Sequence, residues 1–129
     1  MTDIVSLLRD KTTTIALVGA NNNPKKYGNV IYRDLKRKGY RVYPVNPGVS
    51  EVEGDRSYPS LAELPNTPTI VNFVVPPSVT LSILKQCLDM GLKNVWIQPG
   101  AENPEVLAYV QEHDFNYLAN ACIMVESRK

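Results

Sequence analysis

Gly19 follows directly on the apolar run Thr14-Ile15-Ala16-Leu17-Val18 and is itself followed by Ala20, by Asn21, Asn22 and Asn23, and by Pro24-Lys25-Lys26-Tyr27-Gly28. A buried strand that breaks at a glycine and then opens a helix places orphan N–H groups and a helix dipole where an anion can sit. The spacing is not Gly-x-Gly-x-x-Gly, since the next glycine after Gly19 is Gly28, so the turn is a weaker dinucleotide signal. Asparagine tolerates left-handed backbone and carries amide donors, so the loop is still expected to form a phosphate nest. Gly19 is expected to let the phosphates approach the backbone, with Lys25 and Lys26 adding screened positive charge.

Four apolar runs end alike, at Gly19-Ala20-Asn21, Asn46-Pro47-Gly48, Val75-Pro76-Pro77 and Gln98-Pro99-Gly100. In an open parallel sheet such ends share one edge, and ligands bind there where the strand order reverses. Glycine and proline also punctuate elements with no ligand involved; four such ends at one edge favour a crevice. The other reactive residue types read as structural. His113 lies late in a surface helix with no nucleophile or orienting group in view. Cys87 falls on an apolar helix face and Trp96 in a buried strand, while Cys122 is more open and falls near the same edge. Lys36, Arg37 and Lys38 read as a solvated helix end that complements the dipole. No Ser-His-Asp arrangement, paired carboxylates or metal cluster can be assembled.

The elements that must position these residues alternate. Asp3 can cap a short opening helix bearing Ile4, Leu7 and Leu8, and the first strand covers about residues 14 to 19. Ile31 and Leu35 recur with Tyr27 at helical spacing, and Gly39 supplies a stop, which predicts a helix over 28–38. Residues 41–46 form a second strand whose Pro44 signals an edge or a strand's end. Residues 49–68 are irregular, with an exposed turn at 51–55 and a short helix capped by Ser60. The run Thr69-Ile70-Val71-Asn72-Phe73-Val74-Val75 reads as a third strand covered on both faces. A helix carrying Thr80, Ile83, Leu84, Cys87 and Leu88 then ends at Gly91. A fourth strand at 94–97, a helix entered through Asn103-Pro104, a fifth strand at 115–118 and an apolar tail at 121–125 complete the chain. The alternation predicts a three-layer α/β/α fold with a mainly parallel five-stranded sheet, in the order 3-2-1-4-5.

At 129 residues and a formal charge of +1, the sequence reads as one domain spanning 1–129. The balance of 14 basic and 13 acidic residues leaves no footprint for nucleic acid or an anionic membrane. No apolar run approaches the roughly 20 residues of a membrane span. Met1-Thr2-Asp3-Ile4 lacks the basic region of a secretory leader, and the two cysteines lack CxxC spacing. The expectation is a soluble cytoplasmic protein with no metal.

Taken in order, Ile15-Ala16-Leu17-Val18-Gly19-Ala20 with Asn23-Pro24, Gly39-Tyr40-Arg41-Val42-Tyr43-Pro44-Val45-Asn46-Pro47, Tyr58-Pro59-Ser60-Leu61, Ile70-Val71, Pro76-Pro77, Val95-Trp96-Ile97-Gln98-Pro99-Gly100-Ala101 and Cys122-Ile123 resemble the small CoA-binding proteins. These are stand-alone relatives of the Rossmann-like domain that opens the succinyl-CoA synthetase alpha subunit. The resemblance runs from about Thr13 to Glu126. It implies that coenzyme A or an acyl-CoA binds with its phosphates on Gly19, Ala20, Asn21, Asn22, Asn23, Lys25, Lys26, Tyr27 and Gly28. Asn46, Pro47 and Gly48 would border the nucleotide, Val75, Pro76 and Pro77 would line the adenosine or pyrophosphate, and Gln98 and Gly100 would approach the pantetheine. Val49-Ser50-Glu51 stands where the synthetase subunits carry a lysine, and Val75-Pro76 where many small relatives have an arginine pair. The synthetase's phosphohistidine lies in a second domain and His113 does not match it, so the implied role is binding without catalysis, as carrier, sensor or partner subunit. A homodimer or an unidentified protein partner is compatible with that role. Two alternatives stand beside it. One is an NAD(H)-sensing Rossmann domain, disfavoured by Asn46 where a ribose-binding acid is usual. The other is a ligand-free interaction module, which the missing basic residues would favour.

Overall fold

The computed structural model describes residues 3–10 and 12–127. Apolar runs become the central strands: β1 (Thr14–Val18), β5 (Ile70–Phe73) and β6 (Asn94–Ile97) are buried over nearly their whole length. With β2 (Arg41–Val45) and β7 (Asn116–Ala119) they form one five-stranded sheet in the order β2-β1-β5-β6-β7, all neighbours parallel. Counting these five strands along the chain, the order is 2-1-3-4-5 and not the expected 3-2-1-4-5. Pro44 gives the physical reason. Its carbonyl accepts from Tyr58 N–H and Asn46 N–H donates to the Tyr58 carbonyl, whereas Val45 carbonyl accepts from Gly19 N–H. The missing N–H of Pro44 therefore points away from β1, a position tolerated at a sheet edge and not between two strands. The chain consequently runs outward from β1 to β2, then crosses back to add β5 on the other side of β1. The switch point lies between β1 and β5.

Two apolar layers cover the sheet. On one face lie α1 (Ile4–Leu7), α2 (Tyr27–Arg37) and α5 (Ile123–Glu126), which bury Ile4, Leu8, Ile31, Leu35 and Ile123 against Ile15, Leu17, Ile70 and Trp96. On the other lie α3 (Pro77–Met90) and α4 (Pro104–Glu112), which bury Leu84, Cys87, Val106 and Val110 against Ala16, Val71, Phe73 and Val95. Pro77 and Pro104 stand in the first turns of α3 and α4, where their absent N–H groups cost nothing. Gly91 ends α3 in left-handed backbone at φ 75°. The side chain of Asn103 accepts from Val106 N–H at 2.8 Å, as its position before Pro104 predicts. Asp3 and Ser60 occupy the residues before α1 and before a single 3-10 turn (Leu61–Glu63), and neither side chain caps.

The segment expected to be an exposed turn is a hairpin. β3 (Glu51–Val52) pairs antiparallel with β4 (Asp55–Arg56) through Glu53 and Gly54, both at positive φ. That backbone suits a two-residue turn whose twist matches the strands. Val52 is fully buried against the α2 face, worth about 2 kcal/mol by apolar area. Tyr32 OH bonds to the Asp55 carboxylate and Lys36 approaches it at 3.3 Å, so the hairpin is fastened along α2. The Tyr32 bond, then Lys36, holds the Asp55 carboxyl below the usual carboxylate range.

Lys38 departs from the expected solvated helix end. Its ammonium sits 2.7 Å from Asp34, donates to Met124 carbonyl at 2.7 Å and lies 3.1 Å from Ser127 Oγ. The end of α2 is thereby tied to α5.

Among these elements α4 offers the simplest local test. Replacing Asn103 with alanine frees Val106 N–H without removing any core atom. Asn103→Ala should lower unfolding stability by about 1 kcal/mol, read as an earlier urea midpoint with an unchanged slope.

Candidate functional site

The loop between β1 and α2 lies at the switch point. Gly19 adopts φ 100°, and a Cβ built there would lie 2.3 Å from the carbonyl oxygen of Val74. A Cβ on Gly28 would lie 2.1 Å from the carbonyl oxygen of Gly19. The approach of the segment after β5 therefore requires glycine at this position on structural grounds alone. Gly28 lets the first turn of α2 rest on the loop, the part a glycine plays where a helix packs closely on a strand.

The asparagines differ from expectation too. Among the described residues of this loop only Gly19 has positive φ. Asn21 Oδ1 accepts from Asn23 N–H, and Asn23 Oδ1 accepts from Lys25 N–H, both at 3.0 Å. Asn22 donates to Glu51 carbonyl at 2.8 Å and accepts from Glu53 N–H at 2.9 Å. Their side chains thus shape the loop and fasten it to the β3–β4 hairpin. What remains for an anion is backbone: the N–H groups of Ala20, Asn21, Asn22, Tyr27 and Gly28 have no acceptor among the described residues. They gather at the N-terminus of an 11-residue helix, where dipole and donors favour negative charge. Lys25 and Lys26 are exposed beside them. Glu53 brings a carboxylate to the same place, accepting from Asn29 Nδ2 at 2.8 Å.

A cleft flanks this nest on each face of the sheet, because Val74 and Val75 point opposite ways. The larger, about 340 Å³, is bounded by Gly19, Asn46, Pro47, Val75, Leu61 and Val79. The smaller, about 200 Å³, is bounded by Tyr27, Val74, Gln98, Pro99, Cys122 and Met124. Of the expected residues, Gly19, Asn46, Pro47 and Val75 meet at the first cleft and Tyr27 and Gln98 at the second. Gly48, Pro76, Pro77 and Gly100 line neither: Pro76 and Pro77 start α3, and Gly100 turns the chain after β6 at φ 95°. Asn46 ties the two loops, donating to Ala20 carbonyl and accepting from Gly48 N–H, each at 2.8 Å. Val79, Leu61 and Met124 escaped the sequence reading because nothing in their type distinguishes a cleft wall from a core.

The residues set aside stay outside the clefts, Cys122 excepted. His113 closes α4, its Nδ1 3.0 Å from Tyr109 carbonyl and its ring 4.1 Å from the Tyr109 ring. Cys87 is fully buried, and burial pushes its thiol up to about 12. Trp96 Nε1 donates to Ala121 carbonyl at 2.9 Å. No group of metal-ligating side chains exists among the described residues.

A parallel α/β sheet with unpaired N–H groups at its switch point and a cleft on either side defines a Rossmann-like domain. The chain belongs to the CoA-binding domain family, whose model matches residues 13–128. It is 39% identical over 84 residues to the alpha subunit of ADP-forming acetate–CoA ligase II of Pyrococcus furiosus, covering 64% of this chain and 18% of that protein. It thus spans about a fifth of that relative's length. A conserved hypothetical protein from Pyrococcus furiosus superposes with a TM-score of 0.85 at 46% identity, over 88% of this chain and 98% of that one. A hypothetical protein from Pyrococcus horikoshii superposes with a TM-score of 0.86 at 36% identity, over 98% and 89%.

The contact between Gly19 and Val74 makes the outcome of one substitution specific. Gly19→Val should destabilise the fold by about 3 kcal/mol or more, through strained backbone and overpacking. Urea unfolding followed by circular dichroism measures this; a variant as stable as the parent would remove the structural role given to Gly19.

Proposed function

We propose that the protein binds coenzyme A or an acyl-CoA without catalysing a reaction on it, acting as a single unit over 1–129. The observation carrying this reading is the set of unpaired N–H groups from Ala20 to Asn22 and at the first turn of α2, set between two clefts. A ligand with a pyrophosphate between a phosphorylated nucleoside on one side and a long uncharged arm on the other matches that layout. The N–H groups and Lys25 and Lys26 would hold the phosphates. Asn46, Pro47 and Val75 would face the nucleoside in the larger cleft, and Tyr27 and Gln98 the pantetheine in the smaller.

NAD(H) is the poorer match. The residue after β2 is Asn46, whose amide is engaged by Ala20 and Gly48, so no acid stands there for a ribose diol. Binding without chemistry is supported by where His113 lies, stacked on Tyr109 at the end of α4. The relative named as a ligase alpha subunit supports action alongside a second protein, with a homodimer as the other arrangement. No helix among the described residues is long and apolar enough to cross a membrane, in keeping with the cytoplasmic placement that belongs to this proposal.

Thermal unfolding with ligand tests the reading. CoA at about 100 times its dissociation constant should stabilise by roughly 2.7 kcal/mol, and NADH at equal concentration much less. Equal shifts, or a larger one with NADH, would count against CoA; no shift with either would favour a ligand-free module. The double variant Lys25→Ala, Lys26→Ala should bind CoA modestly more weakly and with a flatter salt dependence, since exposed charges are screened. Protein incubated with CoA, succinate, magnesium and ATP should form no succinyl-CoA above blank. Turnover that follows the protein through purification would contradict binding without catalysis.

A further inference from the structure

We infer that the larger cleft takes the nucleoside but gives its ribose phosphate no partner, so that the protein binds dephospho-CoA at least as tightly as CoA. This rests on the CoA reading and goes beyond it in naming which of the ligand's phosphates is recognised. CoA carries a phosphate monoester on its ribose besides the pyrophosphate, and dephospho-CoA has a free hydroxyl there. No charged residue bounds the larger cleft. Its polar side chains are Asn46, Ser60 and Gln86, and the wall is otherwise apolar or backbone. A dianionic phosphate moved against such a wall loses hydration without gaining a cation. It therefore stays in solvent at the cleft's mouth while the base lies within.

The surroundings of that mouth are acidic. One stretch of chain bounds the cleft at both of its ends, through Asn46 and Pro47 and then through Pro59, Ser60 and Leu61. From Asn46 to Leu64 it carries Glu51, Glu53, Asp55 and Glu63 against a single base, Arg56. Asp55 is matched by Lys36 at 3.3 Å, which leaves three carboxylates to one guanidinium. None of those three forms an ion pair among the described residues. Arg56 is turned to Tyr58, its guanidinium 5.2 Å from the ring centroid, and neither residue bounds the cleft. Helix α3 brings Gln86 to the wall and Asp89 one turn further on, both exposed. Lys85 bounds a different hollow, with Glu105 and Glu112 of α4. Lys25 and Lys26 bound neither cleft, and under the CoA reading they serve the pyrophosphate. A ribose phosphate thus meets carboxylates across water, a repulsion that salt screens, and no cation to offset it.

Calorimetric titration of the intact protein with CoA and with dephospho-CoA, at low and high salt, tests this. In water, each pair of like unit charges about 10 Å apart changes affinity by about twofold. At low ionic strength, where charges act over about 30 Å, dephospho-CoA should therefore bind about threefold more tightly than CoA. At about 1 M salt, where that range falls to about 3 Å, the two should agree within about twofold. The double variant Glu51→Gln, Glu63→Gln changes two exposed side chains outside the cleft wall. It should close the low-salt gap by strengthening CoA; a gap left unchanged would place the discrimination inside the cleft and overturn the inference. If CoA binds more tightly than dephospho-CoA by more than about twofold at either salt concentration, as an ion pair on the ribose phosphate would require, the inference is overturned and the CoA reading stands. If neither ligand binds, both fall.

Discussion

The carbonyl of Val74 passes so close to Gly19 that only a hydrogen fits between them, and the rest of the site is arranged around that approach. It brings the segment leaving β5 against the loop leaving β1, with Val74 N–H bonded to Val18 carbonyl at 2.9 Å. Val74 and Val75 then face opposite sides of the sheet, which creates one cleft on each side of a single turn with unpaired N–H groups. Gly28 repeats the same device one layer up, seating α2 on the loop so that its first N–H groups open beside those of Ala20 and Asn21. A side chain at either glycine would separate the helix, the loop and the neighbouring strand end. Cleft geometry and fold stability are therefore one constraint at this point.

Electrostatics at the nest are balanced by the chain itself. The α2 dipole and unpaired N–H groups attract an anion, while the hairpin places Glu53 on Asn29 within that same first turn. Two exposed lysines stand nearby, and the hairpin reaches the loop through Asn22. The hydrogen bonds that tie Asn22 to Glu51 and Glu53 fix the turn's shape without consuming its backbone donors. The N–H groups of Ala20, Asn21 and Asn22 are thereby left unpaired in a fixed arrangement.

The alternation of elements was legible because the apolar periods change cleanly between strand and helix, and because Gly39, Gly91 and the Asn103-Pro104 entry punctuate them. The sheet order was not, although Pro44 carried the clue: a proline inside a strand belongs at an edge, and the order 3-2-1-4-5 would have placed that strand in the interior. The hairpin at 51–56 was missed because three acids around a lone valine resemble a solvated turn; the buried Val52 becomes visible only when α2 lies beneath it. Position along the chain was legible, since the four strand ends do share one edge of the parallel sheet. Roles within it were harder to assign. Asn21 to Asn23 read as donors to a phosphate, yet the geometry of local side-chain to backbone bonds uses them within the loop.

The wall of the smaller cleft depends on three ties to the short α5 turn, which at four residues could not hold itself. Gln98 accepts from its first N–H, Trp96 Nε1 holds Ala121 just before it, and Lys38 holds Met124 carbonyl from the end of α2. Two ties come from β6 and the residue that follows it, and the third from the end of the helix that also forms the nest. Cys122 and Met124 are thus positioned by the same framework that positions the loop between β1 and α2. Lys38, whose sequence context suggested only a solvated helix end, couples the two, because moving α2 at its C-terminal end would carry the cleft wall with it. The two ends of α2 therefore bear on the same region, its first turn presenting unpaired N–H groups and the residue after its last turn fixing the apolar wall beyond.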